Sequence, residues 1–402
     1  MNEGFRAIQI ADGVHWVGAV DWGLRNFHGY LTSKGTTYNA FLVTGEKVAL
    51  FDTVKAPYMP EMMARIRSVI DPRDIDYVVS NHAEMDHSGG LPELIAAARP
   101  EKVLASKPGA EALAAHFHWD VPVEVVATGD AIDLGDDTLS FVEARMLHWP
   151  DSMLSHLARR KVLFTNDAFG MHLASSERFV DEVPEAVWRY EAAKYYANIL
   201  LPLSPIVAKL VEKLPGLGLD IDLIAPDHGP LWRERPTQIV ELYSSWAAQR
   251  PARKAVVVYD TMWQSTARMA RAVGDGLTAG GVSAVLMPLE GSHRSDVATE
   301  LLEAGALVVG SPTMNNQLYP TVADALTYLK GLKRRNLTGA SFGSYGWSGE
   351  ATRHLDGWLD EMKVERIEEG IKVKYVPTGE DLARCQRLGE RVAASVIERT
   401  GG

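Results

Sequence analysis

Two histidines and two carboxylates fall within six residues of the stretch Asn81-His82-Ala83-Glu84-Met85-Asp86-His87-Ser88-Gly89-Gly90. Imidazole nitrogen and carboxylate oxygen together suit a borderline or hard transition-metal ion, and four such donors on one short loop exceed what a single ion with open positions needs. The spacing therefore predicts a site for two metals. A competing reading has Asp86 or Ser88 merely capping a helix that opens at Leu91-Pro92-Glu93-Leu94. A cap accounts for one residue and leaves His82, Glu84 and His87 without a role on a loop where solvated Lys or Ser would serve.

The elements that must position these side chains can be read on either side of them. The apolar run Ile75-Asp76-Tyr77-Val78-Val79-Ser80 is a strand, so the cluster lies on a strand-to-helix loop. Two metals need a bridging ligand and further terminal ligands, and three more candidates stand where a strand ends or the chain turns. His148 lies in Met146-Leu147-His148-Trp149-Pro150, Asp167 follows Val162-Leu163-Phe164-Thr165-Asn166, and His228 lies in Ile224-Ala225-Pro226-Asp227-His228-Gly229-Pro230. Taken singly, a His beside Trp149 reads as a packed aromatic neighbour and Asp167 as a turn or cap residue. Ligands on loops at one sheet edge can nevertheless converge.

The chain of 402 residues is long enough for two or three domains, each with its own core. Up to about residue 250, short β-rich runs such as Thr37-Tyr38-Asn39-Ala40-Phe41-Leu42-Val43 and Val48-Ala49-Leu50-Phe51 alternate with helical stretches such as Glu61-Met62-Met63-Ala64-Arg65-Ile66. Mixed sheet and helix layers follow. Of the 12 histidines all but His293 and His354 precede Gly229, so the chemistry is biased to this half. The polar stretch Gln249-Arg250-Pro251-Ala252-Arg253-Lys254 marks a domain boundary, dividing residues 1–250 from 251–402.

With 41 Lys+Arg against 52 Asp+Glu the formal charge is -11, which makes nucleic acid a poor candidate partner. Cys385 is the only cysteine, so neither an intramolecular disulfide nor a Cys-ligated cluster can form within one chain. The N-terminus lacks a basic segment followed by an apolar stretch, and no apolar run approaches about 18 residues. The expectation is a soluble cytoplasmic protein that does not enter a membrane.

Beyond residue 251 strand-like runs (Ala255-Val256-Val257-Val258, Ala284-Val285-Leu286-Met287, Ala306-Leu307-Val308-Val309, Ala340-Ser341-Phe342) alternate with helices, the rhythm of a doubly wound parallel sheet. After the first strand comes a hydroxyl-rich loop with Thr261, Met262, Trp263, Gln264, Ser265 and Thr266, whose backbone N–H groups and hydroxyls can neutralise a phosphate without lysine. Ser and Thr there could also be plain N-caps. Two further loops, Ser311-Pro312-Thr313-Met314-Asn315-Asn316 and Ser344-Tyr345-Gly346-Trp347-Ser348-Gly349, bring polar backbone and an aromatic ring to the carboxyl edge of the sheet, where such folds bind ligands. No Walker-type Gly-Lys-Ser is present, so nucleotide hydrolysis is not indicated.

The metal set resembles that of the metallo-β-lactamase superfamily. Hydrolases of the glyoxalase II type carry histidine where this chain has Glu84, and a harder anionic oxygen shifts preference from zinc toward iron or manganese and favours redox chemistry over hydrolysis. The His-x-Glu-x-Asp-His run with His148, Asp167 and His228 is similar to the flavodiiron proteins. That resemblance implies one iron on His82, Glu84 and His148, the other on Asp86, His87 and His228, and Asp167 between them. It departs at Asp227, where several relatives carry serine. It further implies His28, His172 and Tyr195 as pocket residues for proton delivery or hydrogen bonding to the ligands.

The three polar loops resemble FMN-binding loops of flavodoxins, with Trp347 stacked on the isoalloxazine; Gln264 departs from the glycine usual in short-chain flavodoxins. The fold implied is a metallo-β-lactamase-like αβ/βα sandwich followed by a flavodoxin-like doubly wound sheet. The cofactors implied are FMN and two non-haem irons, and the reaction is reduction of dioxygen to water, with nitric oxide reduction to nitrous oxide as the alternative. Without an appended Cys-rich module, electrons are expected from a rubredoxin-type donor, and the family resemblance implies a head-to-tail homodimer. The rival readings are a zinc-dependent hydrolase joined to a flavodoxin and an electron-transfer module with a vestigial metal site.

Overall fold

The computed structural model describes residues 4–401. Two compact units form. One runs to His28 and takes in Thr32–Tyr195 and Pro205–Ser244; the other takes in Gly29–Leu31, Tyr196–Ser204 and the chain from Ser245 onward.

The first unit is built on two sheets. Seven strands pair in the order Ile8–Ala11, Val14–Trp16, Phe41–Val43, Ala49–Phe51, Tyr77–Ser80, Lys102–Ala105 and Val123–Val125, antiparallel as far as Ala49–Phe51 and parallel beyond it. Five strands, Ala131–Asp133, Thr138–Glu143, Met153–Leu157, Val162–Phe164 and Leu223–Ala225, make the second sheet. Successive side chains on a strand face opposite ways, and here both faces are buried. Phe41, Phe51 and Val79 pack with Phe141, Phe164 and Leu223 of the other sheet, and the Phe51 and Phe164 rings stack 4.1 Å apart. Their neighbours Leu42, Leu50 and Val78 instead meet Met62, Met63 and Ile66 of helix Met59–Arg67 and Leu94 of helix Leu91–Ala98. A helix layer thus covers the outer face of the seven-stranded sheet, as the expected layered architecture requires.

The run from Thr37 to Val43 does not form one strand. It divides into Thr36–Tyr38 and Phe41–Val43, which pair in different sheets. Asn39 lies at the break, fully buried, with its amide spent elsewhere. Its Nδ2 donates to the carbonyls of Pro226 (2.7 Å) and Gly229 (2.9 Å), its Oδ1 accepts from Trp16 Nε1 (2.8 Å), and its backbone N–H donates to Asp227 O (2.7 Å). Three bonds to a distant loop and one from Trp16 outweigh local strand continuity.

The second unit carries parallel strands in the order Ser283–Pro288, Ala252–Tyr259, Ala304–Gly310 and Thr338–Tyr345, with Glu365–Arg366 and Ile371–Lys374 both pairing beyond the last. That two-one-three-four-five order is a doubly wound sheet with its switch point between Ala252–Tyr259 and Ala304–Gly310. Helices Ser265–Ala279 and Gly379–Arg399 supply Ala270, Val273, Leu388 and Val392 to the core of one face. Among the described residues no helix is long and apolar enough to cross a membrane.

Candidate metal centre and flavin cleft

Strand Tyr77–Ser80 delivers the His-x-Glu-x-Asp-His run to the sheet edge, and a buried network fixes its path. Asp52 accepts from Asn81 N (2.7 Å) and Nδ2 (2.8 Å), while Ser155 Oγ donates to Asn81 Oδ1 at 2.5 Å. Asp151 Oδ2 accepts from Ala83 N (2.6 Å) and faces His82 Nδ1 (3.0 Å). Helix Met85–Ser88 then carries Asp86 and His87, with Glu84 preceding it. Helix Leu91–Ala98 starts after Gly90 with no side-chain cap, and Ser88 Oγ donates to Ala83 O (2.8 Å), so neither Asp86 nor Ser88 serves as its cap.

The other three candidates arrive from separate strand ends. His148 follows strand Thr138–Glu143 in a turn closed by Met146 N to Trp149 O (2.7 Å). Asp167 follows Asn166, whose left-handed backbone (φ 46) turns the chain and whose Nδ2 donates to Met153 O at 2.7 Å. His228 donates from Nδ1 to Thr37 O (2.6 Å), on the loop that Asn39 grips.

These seven side chains converge as two adjoining donor sets. In the first, His148 Nε2 lies 2.8 Å from Asp167 Oδ2 and 3.2 Å from Glu84 Oε2, and His82 Nε2 lies 3.3 Å from each of those oxygens. In the second, His87 Nε2 lies 3.1 Å from Asp167 Oδ1 and 3.5 Å from Asp86 Oδ1, and His228 Nε2 lies 3.3 Å from Asp86 Oδ2 and 3.4 Å from Asp167 Oδ1. One carboxylate thus turns one oxygen to each set. Donors held about 2.1 Å from a common ion sit roughly 3.0–3.4 Å apart, and the 2.8–3.5 Å found here brackets that spacing. The donor atoms of His82, Glu84, His148 and Asp167 lie within 4.8 Å of one another, as do those of Asp86, His87 and His228.

The second set fits a cation by a further test. Both Asp86 oxygens, His87 Nε2 and Asp167 Oδ1 are buried with no hydrogen-bond partner, a costly state for polar atoms unless an ion takes it up. Burial opposes charge on every group here, yet the carboxylates raise His82 and His87 well above the ordinary imidazole value and His148 to about 9. The same histidines hold Asp167 well below the carboxylate range despite its burial. The cavity calls for positive charge.

The expected pocket residues lie around these sets in different ways. His28 Nε2 is 3.2 Å from Glu84 Oε1 with its ring 73% exposed, so it stands at the solvent side. His172 is buried, its ring 4.6 Å from that of His228, and its Nδ1 lies 2.9 Å from Thr36 Oγ1, which is also 3.2 Å from His228 Nδ1. Tyr195 is buried with its ring 5.0 Å from His172 and 6.2 Å from His228. Asp151, Thr36, Thr37 and Asn39 were not predicted; each acts on a ligand from far away in sequence.

In the second unit a cleft of about 610 Å³ opens at the carboxyl edge of the sheet, a size that suits a cofactor. It is lined by Met262, Trp263 and Ser265, by Pro312, Thr313, Asn315 and Asn316, by Ser344, Tyr345, Gly346, Trp347 and Ser348, and by Tyr375 and Val376. Two indoles, Trp263 and Trp347, stand 88% and 87% exposed on it, flat apolar faces without protein cover. The remaining predicted residues are not part of the lining. Thr266 Oγ1 bonds Ser344 Oγ (2.9 Å), Ser311 Oγ accepts from Tyr319 N (2.9 Å), Thr261 N donates to Asp260 Oδ1 (2.7 Å), Met314 pairs with Gln317, and Gly349 turns the chain at φ +84. Gln264 is in the left-handed region (φ 65), the conformation that makes glycine usual there, and it closes directly onto helix Ser265–Ala279. Tyr375 and Val376 were missed because they belong to the fifth strand's exit, beyond the three polar loops.

A lactamase-like layered unit with two adjoining nitrogen and oxygen donor sets, in one chain with a doubly wound unit that holds an aromatic cleft, defines the flavodiiron architecture. Residues 36–229 match the ODP family beta lactamase and residues 257–389 match flavodoxin. The chain is 46% identical to rubredoxin-oxygen oxidoreductase of Megalodesulfovibrio gigas, covering 97% of this chain and 98% of that protein. It is 45% identical to nitric oxide reductase of Moorella thermoacetica, covering 97% and 99%. The crystal structure of the flavodiiron protein from Giardia intestinalis superposes with a TM-score of 0.94 at 32% identity, covering 98% of this chain and 97% of that one. The chain belongs to the flavodiiron protein family.

Proposed function

We propose that this protein is an oxidoreductase that takes electrons from a rubredoxin-type donor through FMN to a non-haem diiron site, where dioxygen is reduced to water. The diiron part lies within residues 1–250 and the FMN part within residues 251–402. The observation that carries this reading is Asp167, whose two oxygens face two separate donor sets, each completed by histidine and carboxylate. Carboxylate at Glu84 in place of a further imidazole favours iron over zinc, which weighs against the hydrolase reading.

His82, Glu84 and His148 would hold one iron and Asp86, His87 and His228 the other, with Asp167 bridging. The loops around Ser265, Thr313 and Ser344 would hold FMN against Trp347. When bound, FMN supplies two electrons and the iron pair two more, enough for full reduction of one dioxygen. The chain's own residues handle positioning and protons. Asp151 orients the His82 ring through Nδ1 and the Thr37 carbonyl orients His228 through its Nδ1, so that in both rings Nε2 points to the metal side. His28, largely in solvent, can carry protons in to Glu84 Oε1, while His172 and Tyr195 pack a water-poor wall beside His228. Flavin and iron of different subunits serve each other in a head-to-tail homodimer in the cytoplasm, and neither nucleic acid nor membrane is a partner.

Nitric oxide reduction is the second reading, favoured by the equal similarity to a relative named nitric oxide reductase. Anaerobic stopped-flow of the fully reduced enzyme against each gas decides. Rapid oxidation by dioxygen with no hydrogen peroxide released supports the first reading, and preferential turnover of nitric oxide to nitrous oxide supports the second. Zinc content with no reaction toward either gas overturns both.

A further inference from the structure

We infer that Asp227 is a positioning residue for the second iron: it backs the ligand His87 with a buried carboxylate, a role that rests on the diiron reading above. Asp227 is fully buried, directly before His228. Its backbone is held on both sides, N–H to Asn166 O at 2.8 Å and C=O from Asn39 N at 2.7 Å, so its side chain has a defined direction. Both of its carboxylate oxygens are without a hydrogen-bond partner, and so is His87 Nδ1. Those two unpaired groups face each other, with Oδ2 3.5 Å from Nδ1.

A nearby carboxylate shows what makes this one unusual. Asp52 is equally buried, yet it accepts from Asn81 N, Asn81 Nδ2 and His82 N, so its burial is explained by structure alone. Asp227 has no such explanation. A buried carboxylate without donors destabilises the fold, so its presence calls for a use, and His87 Nδ1–H is the group it faces. At 3.5 Å the contact is longer than a well-formed hydrogen bond, and a cation on the Nε2 side would strengthen it by making the Nδ1 proton more acidic.

The arrangement repeats on the other set. His82 is backed by Asp151 at 3.0 Å, whereas His228 is backed by the neutral Thr37 carbonyl at 2.6 Å. Each iron therefore receives one imidazole made more basic by a carboxylate. Serine at this position would leave that support out for the second iron alone. Asp227 thus makes His87 a firmer ligand and holds its ring with Nε2 toward Asp167 Oδ1.

The test compares Asp227→Asn and Asp227→Ala with the wild-type holoenzyme in iron retention against a graded chelator and in the Mössbauer spectrum. Loss of a carboxylate behind a ligating histidine weakens metal binding roughly 10–100-fold. The expected result is early release of one iron, with the alanine variant at the upper end. Only one of the two iron signals should shift in the spectrum, FMN content should be unchanged, and the metal-free variants should melt no lower than metal-free wild type. Equal iron retention in all three proteins overturns the inference, as does equally easy loss of both irons. A wild-type protein that does not hold two irons would overturn the diiron reading instead.

Discussion

Asn39 ties the break between two strands to the loop that presents His228, and Asn39→Ala should show how much of the metal site depends on that tie. The substitution removes two donors and one acceptor, leaving the Pro226 and Gly229 carbonyls and Trp16 Nε1 without partners in a region closed to water. Each buried polar group so orphaned costs about 1–3 kcal/mol, and partial relaxation recovers some of it, so the first unit should lose about 4 kcal/mol. The backbone bond from residue 39 to Asp227 O survives, so the loop should loosen rather than detach. The assay is urea unfolding with iron release and FMN release followed separately, because two units need not unfold together. Iron should leave at markedly lower urea while FMN release is unchanged. Iron release within about 1 kcal/mol of wild type would refute the reasoning.

Other perturbations give separate readings. Glu84→Ala removes a donor from the first set and takes away the partner of His28 Nε2, so metal analysis should find iron retention weakened by at least about 100-fold at one site, beyond the effect of losing an outer partner. Trp347→Ala strips a flat ring from the cleft, and loss of stacking worth roughly 1–3 kcal/mol should raise the FMN dissociation constant about 5- to 160-fold, measured by flavin fluorescence. Cys385 is buried and its thiol is pushed up to about 11, so a thiol reagent at pH 8 should leave it unmodified in the native protein and react once the chain is unfolded.

How far the sequence alone carries the account depends on where a residue's partners lie. The run from His82 to His87 was legible because its donors are neighbours in the chain, whereas His148, Asp167 and His228, each ambiguous when taken singly, drew their role from the resemblance to the flavodiiron proteins. The doubly wound sheet could be read from its apolar strands, of which the inner three are buried on both faces along most of their length and so form continuous runs. The supporting residues could not be read in that way. Asp151 meets His82 from 69 residues away and Asn39 meets Pro226 from 187 away, and neither pairing leaves a periodic or spacing signal. The same long-range bonds explain the strand divided at Asn39, since nothing local in Thr37-Tyr38-Asn39-Ala40-Phe41 opposes a continuous strand.

The most direct test of the central claim, two irons joined by Asp167, is the metal and flavin content of the purified protein together with its Mössbauer spectrum. Two irons and one FMN per chain are expected, the irons magnetically coupled in the wild type and uncoupled or lost in Asp167→Ala. A single iron, zinc in its place, or two irons that remain coupled without the Asp167 carboxylate would contradict it.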